Sequence, residues 1–398
     1  MPSTCAAECE AVPSRRSEAF DRRATLSAAI AVATCASMTI GIFPLVLGMF
    51  ADRFSLSLEQ TGILATMIQA GYGIGGLLVL RLRGVTHWRA LLLGASFLAA
   101  VLNGAAMFAP SPGALMGLQV LSSVAAGFAY GLAIYIVGRT ARPERAFGLM
   151  YTAGLAAYSA FAAVFPLLRQ REGFAWALNS LGALLLIAGS LSWWLPGQDR
   201  SAGRSGNTAS AHRPSLLHSA MGLIALALFE LGIFAIWAYT DRIGTLARLS
   251  SVGIGAGIAI GGIAGVAGAG TAAAIGTRIG RLTPSIVATA AILLGNVFFW
   301  SSSSLAIFTA GSCLFNYGWM LAIPYYMGAV VASDHTGSLT SLLLPMQTLG
   351  AVSGPLIAAL VVGPTSTNPV IGVSTLACLA AIAALTIAAH RTLNRQVT

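Results

Sequence analysis

The chain contains twelve apolar stretches that are each long enough to cross a lipid bilayer as a helix. A transmembrane helix needs about 20 mostly apolar residues, and its own hydrogen bonds satisfy the backbone in the hydrocarbon core. Only 9% of the 398 residues are charged, against roughly 25% in a soluble domain, so this chain could not cover its own surface in water. We therefore predict an all-α integral membrane protein with twelve transmembrane helices, called spans 1 to 12. The stretches are residues 25–50, 61–80, 89–109, 114–138, 146–168, 174–195, 216–239, 251–276, 284–303, 305–332, 338–362 and 369–389.

One connection is longer than the others and divides the spans into six plus six. Residues 196–215 are polar and rich in Gly and Ser, which is typical of a flexible linker. The first 23 residues are polar and lack the apolar core of a secretory signal peptide. We predict an N-terminal tail (1–23), a six-helix half (24–195), the linker (196–215), a second six-helix half (216–390) and a C-terminal tail (391–398).

The arginines predict how the spans are oriented. With twelve spans both tails lie on one side, and that side carries 17 of the 22 basic residues, against 5 on the other. Cytoplasmic loops carry the excess of positive charge, so we predict that both tails and the linker are cytoplasmic. The basic residues are all arginine, beside abundant Ala and Gly, which indicates a GC-rich bacterial genome and hence a bacterial inner (plasma) membrane. They lie singly or in pairs between apolar runs, which favours membrane orientation over nucleic-acid binding.

The two sets of six spans share a pattern. The first span of each set ends in an Asp-Arg pair, Asp52-Arg53 and Asp241-Arg242, and a glycine-rich span follows. Transporters are often built from such repeats, with the solute site near the middle of the membrane where the repeats meet.

This organisation resembles the major facilitator superfamily, although no subfamily is identified. The family marker is a G-x-L-x-D-R-x-G-R-R turn after the second and eighth helices. The second copy is partly kept as Arg278-Ile279-Gly280-Arg281, and the first (residues 76–84) lacks the aspartate. The resemblance implies that spans 1, 4, 7 and 10 line a central cavity, that spans 2, 5, 8 and 11 form the seam between the halves, and that spans 3, 6, 9 and 12 face lipid. It also implies that Arg278, Gly280 and Arg281 gate the cytoplasmic side.

Glu230 in span 7 is the one ionisable side chain that the sequence places deep inside a span. A charge there costs about 2.5–3.5 kcal/mol on insertion scales, so the carboxyl group should face a cavity or a partner, or be protonated. Desolvation disfavours the charged form, which suits a group that exchanges protons near neutral pH. We therefore predict a proton-coupling residue, and a neutral carboxyl that only joins two helices is the alternative.

Further residues are candidates for a solute cavity, for gating and for helix packing. The cavity candidates combine amide, hydroxyl and aromatic groups: Gln119, Tyr130, Trp237, Asn316, Tyr317 and Thr39. Asp241 and Arg242 are candidates for an outer gate, and Pro324 for a hinge, because proline removes a helix hydrogen bond. Small residues at four-residue spacing let helices approach closely. The glycines predicted to pack at the seam are Gly253, Gly257, Gly261, Gly265, Gly350 and Gly354.

These features predict a secondary active transporter that moves a small, largely apolar or aromatic organic solute by alternating access, coupled to protons. The alternatives are a drug or metabolite efflux exporter, an energy-independent facilitator, and a non-transporting membrane receptor or scaffold. We expect no enzyme activity, because no reactive cluster is evident, and no metal, cofactor or nucleic-acid partner. A phosphate-binding GxxxxGK[ST] loop cannot exist in a chain without lysine. The expected partners are the solute, protons and the lipid bilayer, and the chain is expected to be a monomer.

Overall fold

The computed structural model describes residues 22–81, 87–140, 143–195, 216–332, 339 and 342–394. Within these ranges the secondary structure is helical. In the first half the α-helices are α1 (Arg23–Ala36), α2 (Met38–Gly41), α3 (Phe43–Phe54), α4 (Leu58–Arg81), α5 (Trp88–Ala105), α6 (Pro112–Val137) and α7 (Pro143–Ser190), with 3-10 turns at Ala106–Phe108 and Leu191–Trp194. In the second half they are α8 (Leu216–Trp237), α9 (Thr240–Leu246), α10 (Ser251–Ile275), α11 (Leu282–Trp300), α12 (Leu305–Ala332), α13 (Leu343–Val361) and α14 (Asn368–Asn394).

These helices build twelve spans, although two boundaries differ from the sequence prediction. The described residues hold ten helical segments long and apolar enough to cross a membrane. One of them, Ala146–Trp194, contains spans 5 and 6, because only Gly173 leaves helical geometry there (φ 86°). Span 1 is too interrupted to be counted among the ten, since it is divided into α1, α2 and α3. The linker 196–215, residues 82–86 with the end of the first turn motif, residues 1–21 of the N-terminal tail and residues 395–398 of the C-terminal tail lie outside the described residues.

The first span of each half is broken, and the local chemistry explains one of the breaks. Span 1 leaves regular helix at Ser37 and Ile42, and Pro44 then lies in the first turn of α3. Proline suits a helix start because the backbone N–H groups there have no intrahelical partner. Span 7 comprises α8 and α9, separated at Ala238 and Tyr239. Two serine caps begin other spans, Ser111 before span 4 and Ser250 before span 8.

Equivalent helices make equivalent contacts in the two halves. Spans 2 and 4 pack together as spans 8 and 10 do, and the pairs 3–4 and 9–10 match in the same way. Contacts between the halves run along span 5 with span 8 and span 2 with span 11. This is the seam that the resemblance implied. We call the side where α1 begins and α14 ends the terminal face, and the other side the opposite face.

The outer surface of the bundle is apolar where lipid is expected. Large exposed hydrophobic side chains lie on spans 3, 6, 9 and 12, in agreement with the layout implied by the resemblance. Water offers no favourable contact to such a surface, whereas lipid tails do. Examples are Leu93, Phe97, Val101, Trp176, Ile187, Val287, Val297, Trp300, Leu376 and Ile387.

The glycine stripe of span 8 packs within its own half, which corrects its predicted place at the seam. A Cβ atom on Gly257 would lie 2.9 Å from the ring of Phe308, and one on Gly261 would meet Ser312. The other two, Gly253 and Gly265, also face span 10. A smooth glycine face permits close approach but does not determine which helix approaches. Different glycines meet the first half, since Gly255 lies against Pro166 and Gly262 against Ser159.

Candidate solute and proton site

Glu230 lies in the middle of span 7 and is 2% exposed. Its Oε1 atom accepts a hydrogen bond from Nε2 of Gln347 on span 11, at 3.1 Å. Its Oε2 atom is buried and has no hydrogen-bond partner among the described residues. Leaving a buried polar atom unpaired costs about 1–3 kcal/mol, and more for a charged group. The carboxyl group therefore has one satisfied oxygen and one that is open to a proton or a ligand.

Glycines on span 11 allow the Gln347–Glu230 contact. A Cβ atom on Gly350 would meet the carbonyl oxygen of Ala227 and lie 2.7 Å from Cβ of Glu230. Gly354, one turn further, lies equally close to the backbone of Leu231. Both glycines thus bring span 11 onto span 7 inside the second half. Their predicted place at the seam is corrected in the same way as that of the span 8 stripe.

A group of four tyrosines from the first half lies across from this carboxyl group. We call Tyr72 (span 2), Tyr130 (span 4), Tyr151 and Tyr158 (span 5) the tyrosine cluster. The rings of Tyr72 and Tyr130 have centroids 5.4 Å apart. The phenol groups of Tyr130 and Tyr151 are close enough for a hydrogen-bonding interaction. The cluster is therefore a set of rings from three spans of the first half that interact with one another.

The tyrosine cluster is anchored to the break in span 1. The Tyr158 and Ser37 hydroxyl oxygens are 2.5 Å apart, and Ser37 also donates to the Ala33 carbonyl oxygen at 2.6 Å. Gly41 leaves room for the Tyr158 ring, since a Cβ there would overlap it. The Tyr72 hydroxyl oxygen, by contrast, is buried without a hydrogen-bond partner among the described residues. The Tyr72 phenol also lies near Ser37, so Tyr72 and Tyr158 both approach the break in span 1.

Tyr151 connects the two halves of the site. Its side chain is 55% exposed, and it interacts both with the Tyr130 phenol and, electrostatically, with Glu230. Tyr151 is therefore the member of the tyrosine cluster that relates the first half to Glu230 of the second half.

An aromatic group from spans 7 and 10 lies beyond Glu230 toward the opposite face. Trp319 packs edge-on against Phe234 and Trp237, with ring centroids 5.5 and 5.9 Å apart. Its Nε1 atom is buried without a partner among the described residues. Thr39 of span 1 is half-buried, near Ile40, whose carbonyl oxygen accepts a 3.4 Å bond from Nε1 of Trp237. Trp237 thus links spans 7 and 1 across the two halves.

Three predicted cavity residues use polar groups in hydrogen bonds within the bundle in the described conformation, and their cavity role stays a prediction. Gln119 is buried and donates to Asn103 of span 3 at 3.3 Å, on the lipid-facing side of span 4. Asn316 donates to the Ser312 carbonyl oxygen of its own helix at 2.9 Å. Tyr317 donates to Thr271 of span 8 at 3.2 Å. Gln119 and Tyr317 therefore join neighbouring helices, whereas Asn316 bonds within its own helix, because a buried amide or phenol needs a partner.

An ion-pair network joins the halves at the opposite face. Arg242 contacts Oδ1 of Asp52 at 2.7 Å and Oδ2 of Asp241 at 2.5 Å. It also donates to the Gly48 carbonyl oxygen of span 1 at 3.1 Å. Arg169 of span 5 contacts the second oxygen of Asp52 at 3.0 Å. Arg242 is therefore held by span 1 of the other half, and we call this network the outer latch.

Two hydrogen bonds near the outer latch also join the halves at the opposite face. The Tyr239 hydroxyl donates to the Leu58 carbonyl oxygen at 2.9 Å. Gln170 donates to the Ser251 hydroxyl at 2.8 Å. Both bonds run from one half to the other, so this end of the seam is held together by side chains from spans 1, 2, 5, 7 and 8.

The turn after span 8 is exposed at the terminal face. Gly276 and Gly280 adopt positive φ values of 54° and 75°, which glycine tolerates without strain. Arg278 and Arg281 are exposed, and Arg281 reaches over Gly328 of span 10. Pro324 of span 10 lies within a helix that continues on both sides of it. The gating and hinge roles predicted for these residues stay predictions.

Several residues of the site were not among those predicted from sequence. Asp52 and Arg169 of the outer latch were missed, although the repeated Asp-Arg pair was a signal for Asp52. Tyr151 and Tyr158 were also missed, and their spacing of seven residues places them on one face of a helix. Tyr72 carried no signal that distinguishes it from an interfacial aromatic residue. Among the described residues there is no group of three or more His, Cys, Asp or Glu side chains that could hold a metal ion.

Comparisons with known proteins agree with the fold. The model of the Major Facilitator Superfamily matches residues 28–355. A crystal structure of a mutant of the nucleoside transporter NupG has a TM-score of 0.73 at 12% identity, over 92% of this chain and 99% of that chain. The POT family transporter PepTSo has a TM-score of 0.66 at 13% identity, over 94% and 98%. A bacterial homologue of the human lysosomal transporter Spinster, inward-facing and unoccupied, has a TM-score of 0.63 at 13% identity, over 92% and 95%.

Proposed function

The chain belongs to the major facilitator superfamily, and we propose that it is a proton-coupled secondary active transporter of a small, largely apolar or aromatic organic solute. The observation that carries this proposal is the half-satisfied carboxyl group of Glu230, which is 2% exposed and has one oxygen without a hydrogen-bond partner among the described residues. A purely structural carboxyl would be expected to have both oxygens bonded. An open oxygen in a site reached from both halves can take up a proton in one state and release it in another.

Alternating access follows from the arrangement of the seam. The outer latch closes the opposite face with ion pairs and hydrogen bonds between the halves. Within each half, glycines bring helix backbones together at close range, so each half is suited to move as one body. Opening then requires the separation of Arg242 from Asp52 and Gly48, while contacts inside each half persist. The described state is closed at the opposite face, so solute would exchange at the terminal face, which the arginine distribution assigns to the cytoplasm.

The solute class follows from the side chains around Glu230. The tyrosine cluster and the rings of Trp237 and Trp319 offer stacking surfaces, whereas multiply anionic solutes need arginine or lysine clamps. The proposed solute therefore has an apolar or aromatic body and little negative charge. We place the transporter in a bacterial inner membrane with both termini cytoplasmic and acting as a monomer.

The test is flux measured in proteoliposomes. A metabolite library is first screened against the purified protein by thermal shift, and each stabilising compound is then followed as a radiolabelled solute with and without an imposed pH gradient. The proposal expects accumulation that requires the pH gradient in the wild-type protein and equilibration without accumulation in Glu230→Gln. Accumulation of equal size in Glu230→Gln would contradict the coupling role.

The same experiment separates the alternatives. A facilitator would equilibrate its solute at the same rate with and without the gradient, and a receptor or scaffold would bind without flux. An efflux exporter would accumulate solute only in vesicles of inverted orientation.

A further inference from the structure

The site around Glu230 combines an unpaired carboxyl oxygen with aromatic faces, and this combination recognises a particular ligand chemistry. Resting on the proposed function, we propose that the solute is a monovalent organic cation, an ammonium group on an apolar body, and that it competes with a proton for Glu230. The exchange would be one cation for one proton.

The unpaired atoms of the site call for a positively charged or donating group. Glu230 Oε2 is buried and without a hydrogen-bond partner among the described residues. Its other oxygen is already bonded to Gln347. A deprotonated carboxylate in this position lacks a counter-charge, and an ammonium ion supplies one. When no such ion is bound, a proton on the carboxyl group removes the charge instead.

The tyrosine cluster supplies the aromatic contacts to the cation. An ammonium group is attracted to the face of an aromatic ring within about 6 Å of its centroid. Tyr72 and Tyr130 already lie with centroids 5.4 Å apart, so one cation between neighbouring rings meets more than one face. Tyr151 joins these rings to Glu230. In this proposal the rings of the first half and the carboxylate of the second half bind the same positive charge.

Within the part of the chain that the structure describes, the surroundings of Glu230 contain no competing cation. The titratable groups facing span 7 near it are Tyr151 from span 5, Tyr326 stacked on Phe229 from span 10, and Cys378 beside Gly232 from span 12. Span 11 presents the neutral Gln347. Phenol and thiol groups are uncharged when protonated, so none of these side chains can supply a positive charge.

The nearest arginine along span 7 is already occupied. Arg242 is twelve residues from Glu230, roughly 18 Å along a helix, and its guanidinium group is paired with Asp52 and Asp241. It cannot reach Glu230 without breaking the outer latch. Among the described residues no side chain supplies the counter-charge of the carboxylate, and in this proposal a bound ligand supplies it.

The proton balance follows from this competition. When the cation binds, the carboxyl group of Glu230 releases its proton to solution. The resulting carboxylate then pairs with the cation. The site has the same net charge before and after the exchange. Transport would therefore be electroneutral, driven by the pH gradient and insensitive to membrane potential.

Isothermal titration calorimetry of the purified protein in a nonionic detergent tests the proposal. The probes are benzyltrimethylammonium, benzyltriethylammonium and benzyltributylammonium, and neutral benzyl alcohol is the matched uncharged probe. Titration in two buffers of different ionisation enthalpy gives the number of protons released. We expect at least one of the ammonium ions to bind more tightly at pH 8 than at pH 6, with up to one proton released per ion bound.

Variants of the two halves separate charge recognition from general packing. Glu230→Gln should abolish the pH dependence and proton release and weaken cation binding at least about tenfold. Tyr130→Phe keeps the ring and should bind within about threefold of wild type, whereas Tyr130→Leu should lose roughly three- to thirtyfold. Tyr135→Leu on the same span, where Tyr135 packs against Trp88, is the control and should bind as wild type does.

Three results would overturn the inference. They are binding of benzyl alcohol as tight as that of the ammonium ions, absence of binding for all three ions, or an unchanged pH dependence in Glu230→Gln. The proposed function would survive the first two if library solutes still accumulated under a pH gradient. It would fail separately if no solute were accumulated at all.

Discussion

Spans 1 and 7 occupy equivalent places in the two halves but carry different chemistry. Both are broken, span 1 at Ser37 and Ile42 and span 7 after Trp237, and both carry an Asp-Arg pair toward the opposite face. The polar groups of span 1 at depth are hydroxyls such as Ser37, whereas span 7 has Glu230. The repeat thus keeps the backbone path and changes the side chains that face the centre.

The two Asp-Arg pairs also occupy equivalent places but make different contacts. Arg242 crosses to Asp52 of the other half. Its counterpart Arg53 stays within its own half, with its guanidinium carbon 5.6 and 5.8 Å from the ring centroids of Phe54 and Phe174. The second half therefore supplies the carboxyl group at depth and Arg242, the latch cation that crosses to the other half, whereas Arg169 pairs with Asp52 inside the first half. The first half supplies aromatic rings and the Asp52 that receives this cation.

Glu230→Gln should have the largest effect, because it removes the only feature of the central site that distinguishes the halves by charge. We expect complete loss of accumulation driven by a pH gradient, with passive equilibration retained. Since the wild-type group must lose its proton at the higher-pH side, flux in the wild type should change with pH and flux in the variant should not. The matched control is Glu172→Gln, an exposed carboxylate near Gly173, which should accumulate solute normally.

Arg242→Gln and Arg53→Gln compare the two Asp-Arg pairs directly. Removing Arg242 leaves Asp241, with a side chain 8% exposed, without its counter-charge. Breaking a buried ion pair destabilises a folded state by roughly 3–5 kcal/mol. We expect Arg242→Gln to destabilise the closed state by about 2 kcal/mol, because Asp52 is 43% exposed.

Cysteine labelling measures the opening of the latch. With the native cysteines replaced by alanine and a cysteine introduced at Ile40, a membrane-impermeant maleimide added at the opposite face should react roughly tenfold or more faster in Arg242→Gln. Arg53→Gln should react at the wild-type rate. Equal acceleration by both variants would show that the halves do not differ at this point.

Gly75→Ala and Gly268→Ala test a place where the halves are alike. A Cβ atom on Gly75 of span 2 would overlap the Val124 carbonyl oxygen, and one on Gly268 of span 8 would overlap that of Tyr317. Each substitution should lower the free energy of unfolding by about 1–3 kcal/mol, measured by thermal unfolding in detergent. Gly94→Ala and Gly270→Ala, with no atom within 4 Å of the added Cβ, should be neutral or stabilise by up to about 1 kcal/mol. Very unequal losses of unfolding free energy in Gly75→Ala and Gly268→Ala would show that these two packing positions are not equivalent.

Tyr239→Phe should have a smaller effect, because it removes one hydrogen bond between the halves. The bond from Tyr239 to the Leu58 carbonyl oxygen is 2.9 Å long and contributes about 0.5–1.5 kcal/mol to the closed state. Trp237→Phe removes the 3.4 Å bond to Ile40 and should cost less, since bonds weaken with length. Maleimide labelling at Ile40 measures both, and a larger effect of Trp237→Phe would show that ring packing, not the hydrogen bond, holds spans 1 and 7 together.

Sequence alone predicts the spans well, because each is a local property of hydropathy. The twelve stretches correspond to helices of the structure, and the departures arise where hydropathy carries no information. Residues 169–172 are polar and separate spans 5 and 6 in the sequence, yet they remain helical up to Gly173. The breaks in span 1 lie within an apolar stretch. Residue periodicity also identified the glycine face of span 8. It could not identify the neighbour, which depends on how the whole bundle assembles.

Of the residues at the site, Glu230, Tyr130 and Trp237 were predicted from sequence, and Glu230 stands out most because of the cost of burying it. A carboxyl group in an apolar span is expensive wherever it lies, so Glu230 could be found from its position alone. Gln119 is also costly to bury, yet Asn103 of span 3 satisfies its amide, and no local pattern reveals this pair. The tyrosine cluster is assembled from three spans, and each member alone resembles an interfacial aromatic residue.

The turn at Gly173 also determines where the folded protein can be reached from outside. Spans 5 and 6 are joined by one residue with positive φ (86°) inside a 48-residue helical segment. Such a connection offers a protease or an inserted epitope almost no extended backbone. The connections at 301–304 and 362–367 are non-helical and lie on the same face. Topology mapping by limited proteolysis or tag insertion should therefore succeed at those two connections of the second half and fail between spans 5 and 6.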